Sequence, residues 1–308
     1  MTGLLYDCII IGGGIAGLQG AIQLGRYKHK VLVIDANDGR STICQSYHNV
    51  LGYPDGVSGP ELRSIGQEHA KRLGVQFAAD RAALVEKIPS GFMVKTKSGE
   101  RFDARRLLLS TGIVDRLPPF PELQPCLGIS VYVCPDCDGY EVSDRKTIVM
   151  GSGNTGANMA LMLNYWTDKI VYVNHEQKEV DEDLLFKLKE KKIEVIHSPI
   201  ANVLTDGPDF KGVTLEGGDQ LKAERGFVAF AGNEVKSQLA RQLGVELHKN
   251  KHILVDPRTK MTNVEHVWAA GDVVAHSEQV TIAMGDGSQA AIWIHKTLIE
   301  EQEKSRGS

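Results

Sequence analysis

The sequence predicts an α/β fold in which one open-sheet domain is inserted into another. Three observations carry this prediction. A glycine-rich loop over residues 12–17 follows the apolar run 5–11, and a second loop over residues 151–156 follows the apolar run 147–150. Short, continuous apolar runs are typical of parallel strands that are buried on both faces. A third strand-like segment, 264–270, ends on Gly271-Asp272 and is expected to return to the first domain.

The composition sets the class of protein. With 308 residues, of which 42% are hydrophobic and 24% charged, the chain can form two domains of ordinary size with a substantial core. A net charge of −4 gives no reason to expect nucleic acid or an anionic membrane as a partner. No apolar run reaches the roughly 18 residues of a membrane helix, and residues 8–11 are too short for a signal peptide. A cytoplasmic location is therefore expected.

The first loop has the spacing Gly12-x-Gly14-x-x-Gly17, and the apolar run 31–34 ends on Asp35, eighteen residues after Gly17. The glycines let the backbone approach a pyrophosphate at the helix N-terminus, and the acid accepts hydrogen bonds from ribose hydroxyls. Glycines alone also serve close packing, but strand, helix and terminal acid together predict an adenine dinucleotide. The second loop predicts a related fold, so we expect two dinucleotide-binding (Rossmann-like) domains.

Two segments predict where the domains meet. The proline-rich residues 117–121 favour an extended linker, because each proline disfavours the helical region for its predecessor. Residues 231–234 predict the return linker. We assign residues 1–117 and 246–308 to a discontinuous first domain, and residues 118–245 to the inserted domain.

The remainder of the first domain shows mixed patterns. A helix is expected from Pro60 to about residue 73, and a small antiparallel layer over residues 75–102. A buried strand is expected to begin at residue 106 and to end in a turn of small residues, Thr111 and Gly112, beside the ligand.

Cys134 and Cys137 are separated by two residues, and Asp138 follows directly. Two thiols at this spacing can close a small disulfide ring. The alternatives are a structural disulfide or half of a zinc site, but zinc usually needs four nitrogen or sulfur ligands in two close pairs. The remaining cysteines are scattered: Cys8, Cys44 and Cys126. Because structural disulfides are rare in cytosolic chains, we predict a redox-active dithiol and no metal site.

With its motifs in this order, the chain resembles the low-molecular-weight thioredoxin reductases over essentially its whole length. The resemblance implies that the first domain binds FAD and the second NADPH. It implies that Cys137 lies next to the flavin, that Cys134 attacks the substrate disulfide and that Asp138 supplies protons. The implied FAD-binding residues are Gly12, Gly14, Ile15, Ala16, Gly17, Asp35, Asn49, Thr111, Gly112, Gly271, Asp272, Gln279 and Val280.

The second domain departs from the family pattern. Thioredoxin reductases hold the 2′-phosphate of NADPH with arginines after the second strand, but residues 173–180 here read Val-Asn-His-Glu-Gln-Lys-Glu-Val. This combination resembles the diflavin-linked disulfide oxidoreductases of cyanobacteria, in which a second FAD occupies the inserted domain. The residues expected at this second dinucleotide site are Gly151, Gly153, Asn154, Thr155, Gly156, Asn174 and His175.

Several functions fit these motifs. The first is an FAD-dependent disulfide oxidoreductase that does not use NADPH and acts on a thioredoxin-like protein or another disulfide. The second is a dithiol oxidase that acts on a small molecule and passes electrons to oxygen. The others are a redox-sensing flavoprotein and a plain NAD(P)H-dependent thioredoxin reductase. The family resemblance implies a homodimer, while the electron donor or acceptor stays open.

Overall fold

The computed structural model describes residues 4–306. The outermost residues of the predicted first domain, 1–3 and 307–308, lie outside the described residues. The helices are α1 (Ile15–Arg26), α2 (Gly59–Arg72), α3 (Pro135–Asp138), α4 (Gly153–Leu163), α5 (Glu182–Glu190), α6 (Gln238–Gln242) and α7 (Val280–Arg306).

The strands are short, as expected for a chain rich in glycine loops. In chain order they are β1 (Leu5–Ile11), β2 (Val31–Ile34), β3 (Gln76–Ala78), β4 (Ala82–Ile88), β5 (Gly91–Thr96), β6 (Arg101–Leu109), β7 (Ile113–Val114), β8 (Val131–Tyr132), β9 (Thr147–Gly151), β10 (Ile170–Asn174), β11 (Glu194–Ile196), β12 (Ile200–Asp206), β13 (Asp209–Leu215), β14 (Gln220–Lys222), β15 (Arg225–Ala229), β16 (Glu234–Val235) and β17 (Val267–Ala269). Within the described residues, 3-10 turns of three, six and four residues lie at Arg40–Thr42, Pro121–Cys126 and Gly139–Val142.

The chain divides into two compact units. Unit 1 comprises Met1–Thr42, Gly59–Val114 and Glu234–Ser308, and unit 2 comprises Ile43–Ser58 and Asp115–Asn233. The two-domain α/β fold class predicted from the sequence is confirmed.

Unit 1 is built on one sheet with the order β3-β2-β1-β6-β5-β4, and β17 also pairs with β6. Strands β1, β2, β3, β6 and β17 run parallel, whereas β4 and β5 are antiparallel additions. Helices α1 and α7 pack closely on one face, where Gly287 leaves room for the Ala16 carbonyl. The parallel part, β3-β2-β1-β6-β17, has the strand order 3-2-1-4-5 that is typical of an open dinucleotide-binding sheet.

Unit 2 has a parallel sheet with the order β11-β10-β9-β15-β8, and a separate antiparallel sheet, β12-β13-β14. Its core strands are buried on both faces, with Ile148, Val149 and Met150 fully inaccessible. Alternating burial is absent from β9 because helices or loops cover both of its sides. The strands β11-β10-β9-β15 therefore repeat the order β3-β2-β1-β6 of unit 1 around a second glycine loop, whereas the outer strand β8 comes before β9 in the chain.

The compact units differ from the predicted domains in three respects. Residues 234–245 belong to unit 1, because Leu239, Ala240 and Val245 pack into its hydrophobic core. Residues 43–58 belong to unit 2, because the Gln45 N–H donates to the Leu127 carbonyl at 2.9 Å and Ile43 packs against the core of that unit. The first crossing also comes earlier, after Val114 rather than after residue 117.

Candidate active site

Cys134 and Cys137 lie at the start of a short helix that follows the edge strand β8. Cys134 has an extended backbone, and Pro135 occupies the first position of α3, where a backbone donor would have no partner in the helix. The two Sγ atoms are 2.6 Å apart, and both side chains are partly exposed. Because sulfurs in a disulfide are about 2.05 Å apart, the two thiols need only a small movement to reach disulfide geometry once two electrons and two protons are removed.

Asp138 ends α3 directly after Cys137. Burial, and then the charge of Glu141, raise the pKa of Asp138 to about 7. The turn that carries both acids is held against Trp166, since a Cβ atom at Gly139 would lie 2.5 Å from the indole ring. Asp138 therefore stands next to the dithiol in a form that exchanges a proton near neutral pH.

The first glycine loop, in unit 1, combines close packing with an open face. A Cβ atom at Gly17 would lie 2.0 Å from the Gly12 carbonyl oxygen, so the helix begins against the loop backbone. At Gly14, by contrast, a Cβ atom would meet nothing within 4 Å. Gly14 is the N-cap of α1 and receives no side-chain hydrogen bond. The helix start, which includes Ile15 and Ala16, thus presents backbone donors beside free space, as a pyrophosphate requires.

Asp35 follows β2 and lies next to this loop. Its Oδ1 atom accepts a hydrogen bond from the Gly13 N–H at 3.0 Å, and its Oδ2 atom accepts one from Arg63 at 2.7 Å. Arg63 lies on α2 with only 3% of its surface exposed. The sequence pattern did not identify Arg63, because a single arginine on a helix carries no motif. The pair fixes the carboxylate at the edge of the dinucleotide fold.

Gly271 and Asp272 lie after β17 at the same edge of the sheet. The Gly271 N–H donates to the buried Asp286 at 3.2 Å, and Asp272 pairs with Arg40 at 3.2 Å. Although burial acts to raise it, hydrogen bonds from His276 and Lys260 lower the pKa of Asp286. The Asp286 carboxylate therefore holds the turn at Gly271 by accepting its backbone N–H. The sequence pattern did not identify Asp286 either.

The remaining residues that were predicted to bind FAD are divided between the two units. Val280 begins α7, and the Gln279 carbonyl accepts from Ala283 in the first turn of that helix. The Thr111 hydroxyl donates to the Lys236 carbonyl at 2.5 Å, and the Gly112 carbonyl accepts from the Lys236 N–H. These four residues belong to unit 1, but Asn49 lies in unit 2. Their roles toward a cofactor stay predictions.

The second glycine loop, in unit 2, is more enclosed. A Cβ atom at Gly151 would lie 2.7 Å from the Ala229 carbonyl oxygen, and one at Gly156 would lie 2.3 Å from the ring of Tyr172. At Gly153, a Cβ atom would meet the Glu179 carbonyl oxygen at 3.1 Å. The Asn154 side chain accepts from the Asp181 N–H at 2.9 Å. The predicted residue Thr155 follows in the first turn of α4.

Asn174 and His175, predicted at the second site, are both used internally. The fully buried Asn174 accepts from the Gly153 N–H at 3.0 Å and donates to the Lys178 carbonyl at 2.6 Å. His175 Nδ1 accepts from the Ile200 N–H at 2.8 Å, and burial lowers the pKa of this imidazole. These hydrogen bonds stabilise unit 2 around the glycine loop. The sequence predicted that both residues lie near this loop, but it did not predict that their side chains make these internal hydrogen bonds.

Glu176 stands at the end of β10 between two cations. It pairs with Arg116, and its Oε2 atom lies 2.8 Å from Lys178 Nζ. Hydrogen bonds from Arg116, Lys178 and Ser152 lower the pKa of Glu176 to about 2. Arg116 comes from the start of unit 2, far from Glu176 in the sequence, so no local pattern predicts the pair.

Comparison with known proteins decides the family. The family model described as pyridine nucleotide-disulphide oxidoreductase matches residues 6–287. This chain belongs to that family. A thioredoxin reductase of Mycolicibacterium smegmatis is 29% identical over 310 residues, covering 96% of this chain and 98% of the relative. A 34.2 kDa protein in a rubredoxin operon of Clostridium pasteurianum is 30% identical over 305 residues, covering 95% and 97%.

A solved structure supports the same assignment. The putative thioredoxin reductase TrxB from Bacillus anthracis superposes with a TM-score of 0.83 at 26% identity, covering 96% of this chain and 99% of that one. The chain is thus a flavin-dependent oxidoreductase of the thioredoxin-reductase-like type. The predicted resemblance to the low-molecular-weight thioredoxin reductases is confirmed, and the resemblance to the cyanobacterial diflavin-linked branch stays a prediction.

A pyridine nucleotide-disulphide oxidoreductase of this type binds FAD, and unit 1 fits that group. The open face at Gly14 leaves room for a pyrophosphate, and Asp35 retains a carboxylate at the adjoining strand end. Within the described residues, no group of three or more His, Cys, Asp or Glu side chains could hold a metal ion. Across residues 4–306, no helix is both long enough and apolar enough to cross a membrane.

Proposed function

We propose that the protein exchanges electrons between FAD, the Cys134/Cys137 dithiol and a disulfide substrate, and that NADPH is not its physiological reductant. The observation that carries the first part is the 2.6 Å separation of the two sulfurs beside Asp138. Thioredoxin-like proteins are the proposed substrates, because the relatives from several organisms are named thioredoxin reductases.

In the proposed exchange, the Cys134/Cys137 dithiol is oxidised to a disulfide, and the substrate disulfide is reduced to two thiols. Cys134 first gives its proton to the Asp138 carboxylate; the resulting Cys134 thiolate bonds to one substrate sulfur, and the other substrate sulfur leaves and takes that proton from Asp138. The Cys137 sulfur then bonds to Cys134, which releases the second product thiol. The two protons of the original dithiol end on the two product thiols. When bound, FAD supplies or accepts the electron pair that the dithiol carries.

Two single-cysteine variants test this division of roles. If Cys137 faces the flavin, Cys134→Ser leaves a thiolate that forms a long-wavelength charge-transfer band with oxidised FAD. Cys137→Ser should lack the band yet trap a mixed disulfide with its partner. Both variants should lose turnover, because one sulfur cannot carry two electrons as a disulfide. The reverse spectral pattern would exchange the roles, and full turnover by either variant would refute the proposed function.

The second part of the proposal rests on Glu176. A 2′-phosphate carries close to two negative charges and is normally read by arginine donors. Here Arg116 and Lys178 are the cations next to the end of β10, and Glu176 pairs with both. A carboxylate in this position repels a phosphate but can accept hydrogen bonds from free ribose hydroxyls. The arrangement favours an adenine nucleotide without a 2′-phosphate, for which a second FAD is our candidate.

The flavin-to-protein ratio, measured together with anaerobic reduction, tests this part. We expect little flavin reduction by micromolar NADPH, because each lost charge-assisted contact weakens binding by about 1.5–3 kcal/mol. A ratio near two would support the second FAD, and a ratio near one would refute it. Rapid reduction by micromolar NADPH would refute NADPH independence. Rapid oxygen consumption with small dithiols would instead indicate the dithiol oxidase.

A further inference from the structure

The segment 271–280 joins β17 to α7 in unit 1 and carries four of the predicted FAD-binding residues, two at each end. Up to residue 279 it forms turns and an isolated bridge rather than a helix or a strand. The Val274 N–H donates to the Gly271 carbonyl and the His276 N–H donates to the Val274 carbonyl, both at 2.9 Å. Because these bonds are local, contacts with other elements decide how the segment is held.

One carboxylate on α7 holds the segment 271–280 at two points. Asp286 Oδ2 accepts from the Gly271 N–H at 3.2 Å and lies 2.5 Å from Nε2 of His276. The Oδ1 atom of Asp286 lies 2.8 Å from Lys260 Nζ. The Asp286 and Lys260 side chains are 6% and 12% exposed, so these contacts are largely shielded from water. Asp286 thus ties the start and the middle of the segment to the helix that follows it.

The other ring nitrogen of His276 also faces an acceptor. Its Nδ1 atom lies 2.8 Å from the Ser277 carbonyl oxygen. A carbonyl oxygen and a carboxylate only accept, so both ring nitrogens must donate, which requires the protonated imidazole. The hydrogen bond to Asp286 raises the pKa of His276, against the opposing effect of burial. Loss of this proton removes one of the two contacts, and the side chain, 22% exposed, can exchange the proton with water.

Arg40 holds the same segment in a second way. Its Nη1 atom lies 3.2 Å from Asp272 Oδ2 and 2.7 Å from Glu278 Oε2, and His252 Nε2 lies 3.4 Å from the other Glu278 oxygen. A guanidinium stays charged at every pH in this range, so this contact does not depend on pH as the His276 contact does. The charged and titratable side chains on the segment and against it are Asp272, His276, Glu278, Arg40, His252, Lys260 and Asp286.

We propose that His276 and Asp286 are positioning residues for the cofactor, which hold the segment 271–280 in its FAD-binding conformation more tightly while His276 is protonated. This inference rests on the part of the proposed function in which unit 1 holds FAD. In a released segment the imidazole has its ordinary pKa of about 6.5, whereas in the held segment the pKa is raised. The extra hold is therefore complete below about pH 6.5 and is lost as the pH rises through the raised pKa.

The test measures FAD release from the loaded enzyme under dialysis, as flavin fluorescence outside the membrane, from about pH 6 to about pH 9. We expect the wild-type release rate to rise about tenfold over this range, because a charge-assisted contact is lost. His276→Gln, which is neutral throughout, should release FAD at close to the wild-type high-pH rate at every pH. The matched control His69→Gln, at an exposed position on α2, should keep the wild-type profile.

A second measurement follows the His276 proton itself in the FAD-loaded enzyme. Its ring resonance in nuclear magnetic resonance spectra is defined as the signal that His276→Gln removes, and its midpoint should lie above the ordinary value. Lys260→Met removes a cation that opposes the His276 proton. This variant should move both the resonance midpoint and the release profile to higher pH by about 0.5–1 unit. The wild-type and Lys260→Met profiles keep the test valid if His276→Gln does not fold.

The outcomes separate this inference from the proposed function. A wild-type release rate that does not change with pH, or a His276→Gln profile that matches the wild type, would overturn the inference. A His276 midpoint at or below the ordinary value would overturn it as well. If such an enzyme still holds FAD and, once photoreduced, reduces the disulfide reagent DTNB, the proposed function stands. An enzyme that binds no FAD at any pH would refute the proposed function.

Discussion

The two glycine-rich loops share a sequence spacing and a position in the sheet, yet they are built differently. In unit 1, a Cβ atom placed at Gly14 would meet no other atom within 4 Å. In unit 2, a Cβ atom placed at the equivalent Gly153 would lie 3.1 Å from the Glu179 carbonyl oxygen. The residue at the end of the second strand differs as well. Asp35 is a charged group at the edge of its unit, but Asn174 is fully buried and neutral. The strand order alone therefore does not define the ligand.

The same strand order can use one residue to support the glycine loop and a different residue to contact a ligand. Asp35 and Asn174 each accept a hydrogen bond from a loop N–H at 3.0 Å, so both support the glycine turn. Asp35 also keeps a carboxylate at the strand end, where ribose hydroxyls are read. In unit 2 the charged group is Glu176, two residues further along and bracketed by cations. We therefore propose that any ligand recognition in unit 2 depends on Glu176 and not on the supporting residue Asn174.

The largest expected effect comes from replacing the last glycine of each loop with alanine. Gly17→Ala places a methyl group 2.0 Å from the Gly12 carbonyl, so the helix start must shift and flavin retention should fall at least about tenfold. Gly156→Ala meets the Tyr172 ring at 2.3 Å and should cost about 1–3 kcal/mol of stability while the flavin of unit 1 stays bound. Absorbance ratios and thermal unfolding measure both quantities. Equal flavin loss in the two variants would contradict the distinction.

A second effect concerns the strand-end residues. Asp35→Ala removes one acceptor of the buried Arg63 while Asn37 still accepts from it, so the protein should lose about 1–3 kcal/mol of stability and FAD retention should also weaken. Asn174→Ala leaves the Gly153 N–H without its acceptor and should cost about 1–3 kcal/mol without affecting FAD in unit 1. Chemical denaturation and flavin release under dialysis measure these outcomes. Unchanged flavin retention in Asp35→Ala would remove Asp35 from the cofactor site.

Much of this framework was predictable because its determinants are local. The apolar runs and glycine spacing of residues 5–34 predict β1, α1 and β2, and the structure has these elements at Leu5–Ile11, Ile15–Arg26 and Val31–Ile34. The spacing of Cys134 and Cys137 likewise predicts two sulfurs within reach of each other. In each case, neighbouring residues along the chain supply the whole signal.

Other features depend on contacts between distant residues and left no local pattern. The sequence predicted a break between residues 102 and 106, but β6 is continuous. Its charged residues are accommodated by long-range pairing, since Arg106 is buried against Thr297 and Glu301 of α7. The placement of residues 43–58 in unit 2 depends on the backbone bond from Gln45 to Leu127. The Arg116–Glu176 pair is equally non-local.

The smallest expected effect tests whether recognition in unit 2 has moved to Glu176. Glu176→Gln removes the carboxylate that pairs with Arg116 and Lys178, so both cations become more available to a 2′-phosphate. Their side chains are 44% and 58% exposed, and solvent screening limits the gain. We expect NADPH affinity to rise by about tenfold, which corresponds to about 1.4 kcal/mol, while NADH affinity changes little.

Titration calorimetry with both nucleotides measures this difference, and Glu190→Gln serves as the matched control because it removes an equivalent charge from α5. The ratio of the two affinities is the decisive quantity, since a general change in net charge would strengthen binding of both dinucleotides. A gain that is equal for NADH and NADPH would show that Glu176 does not act at the 2′-position. A selective gain for NADPH, abolished again by Arg116→Gln, would assign the cation that Glu176 holds.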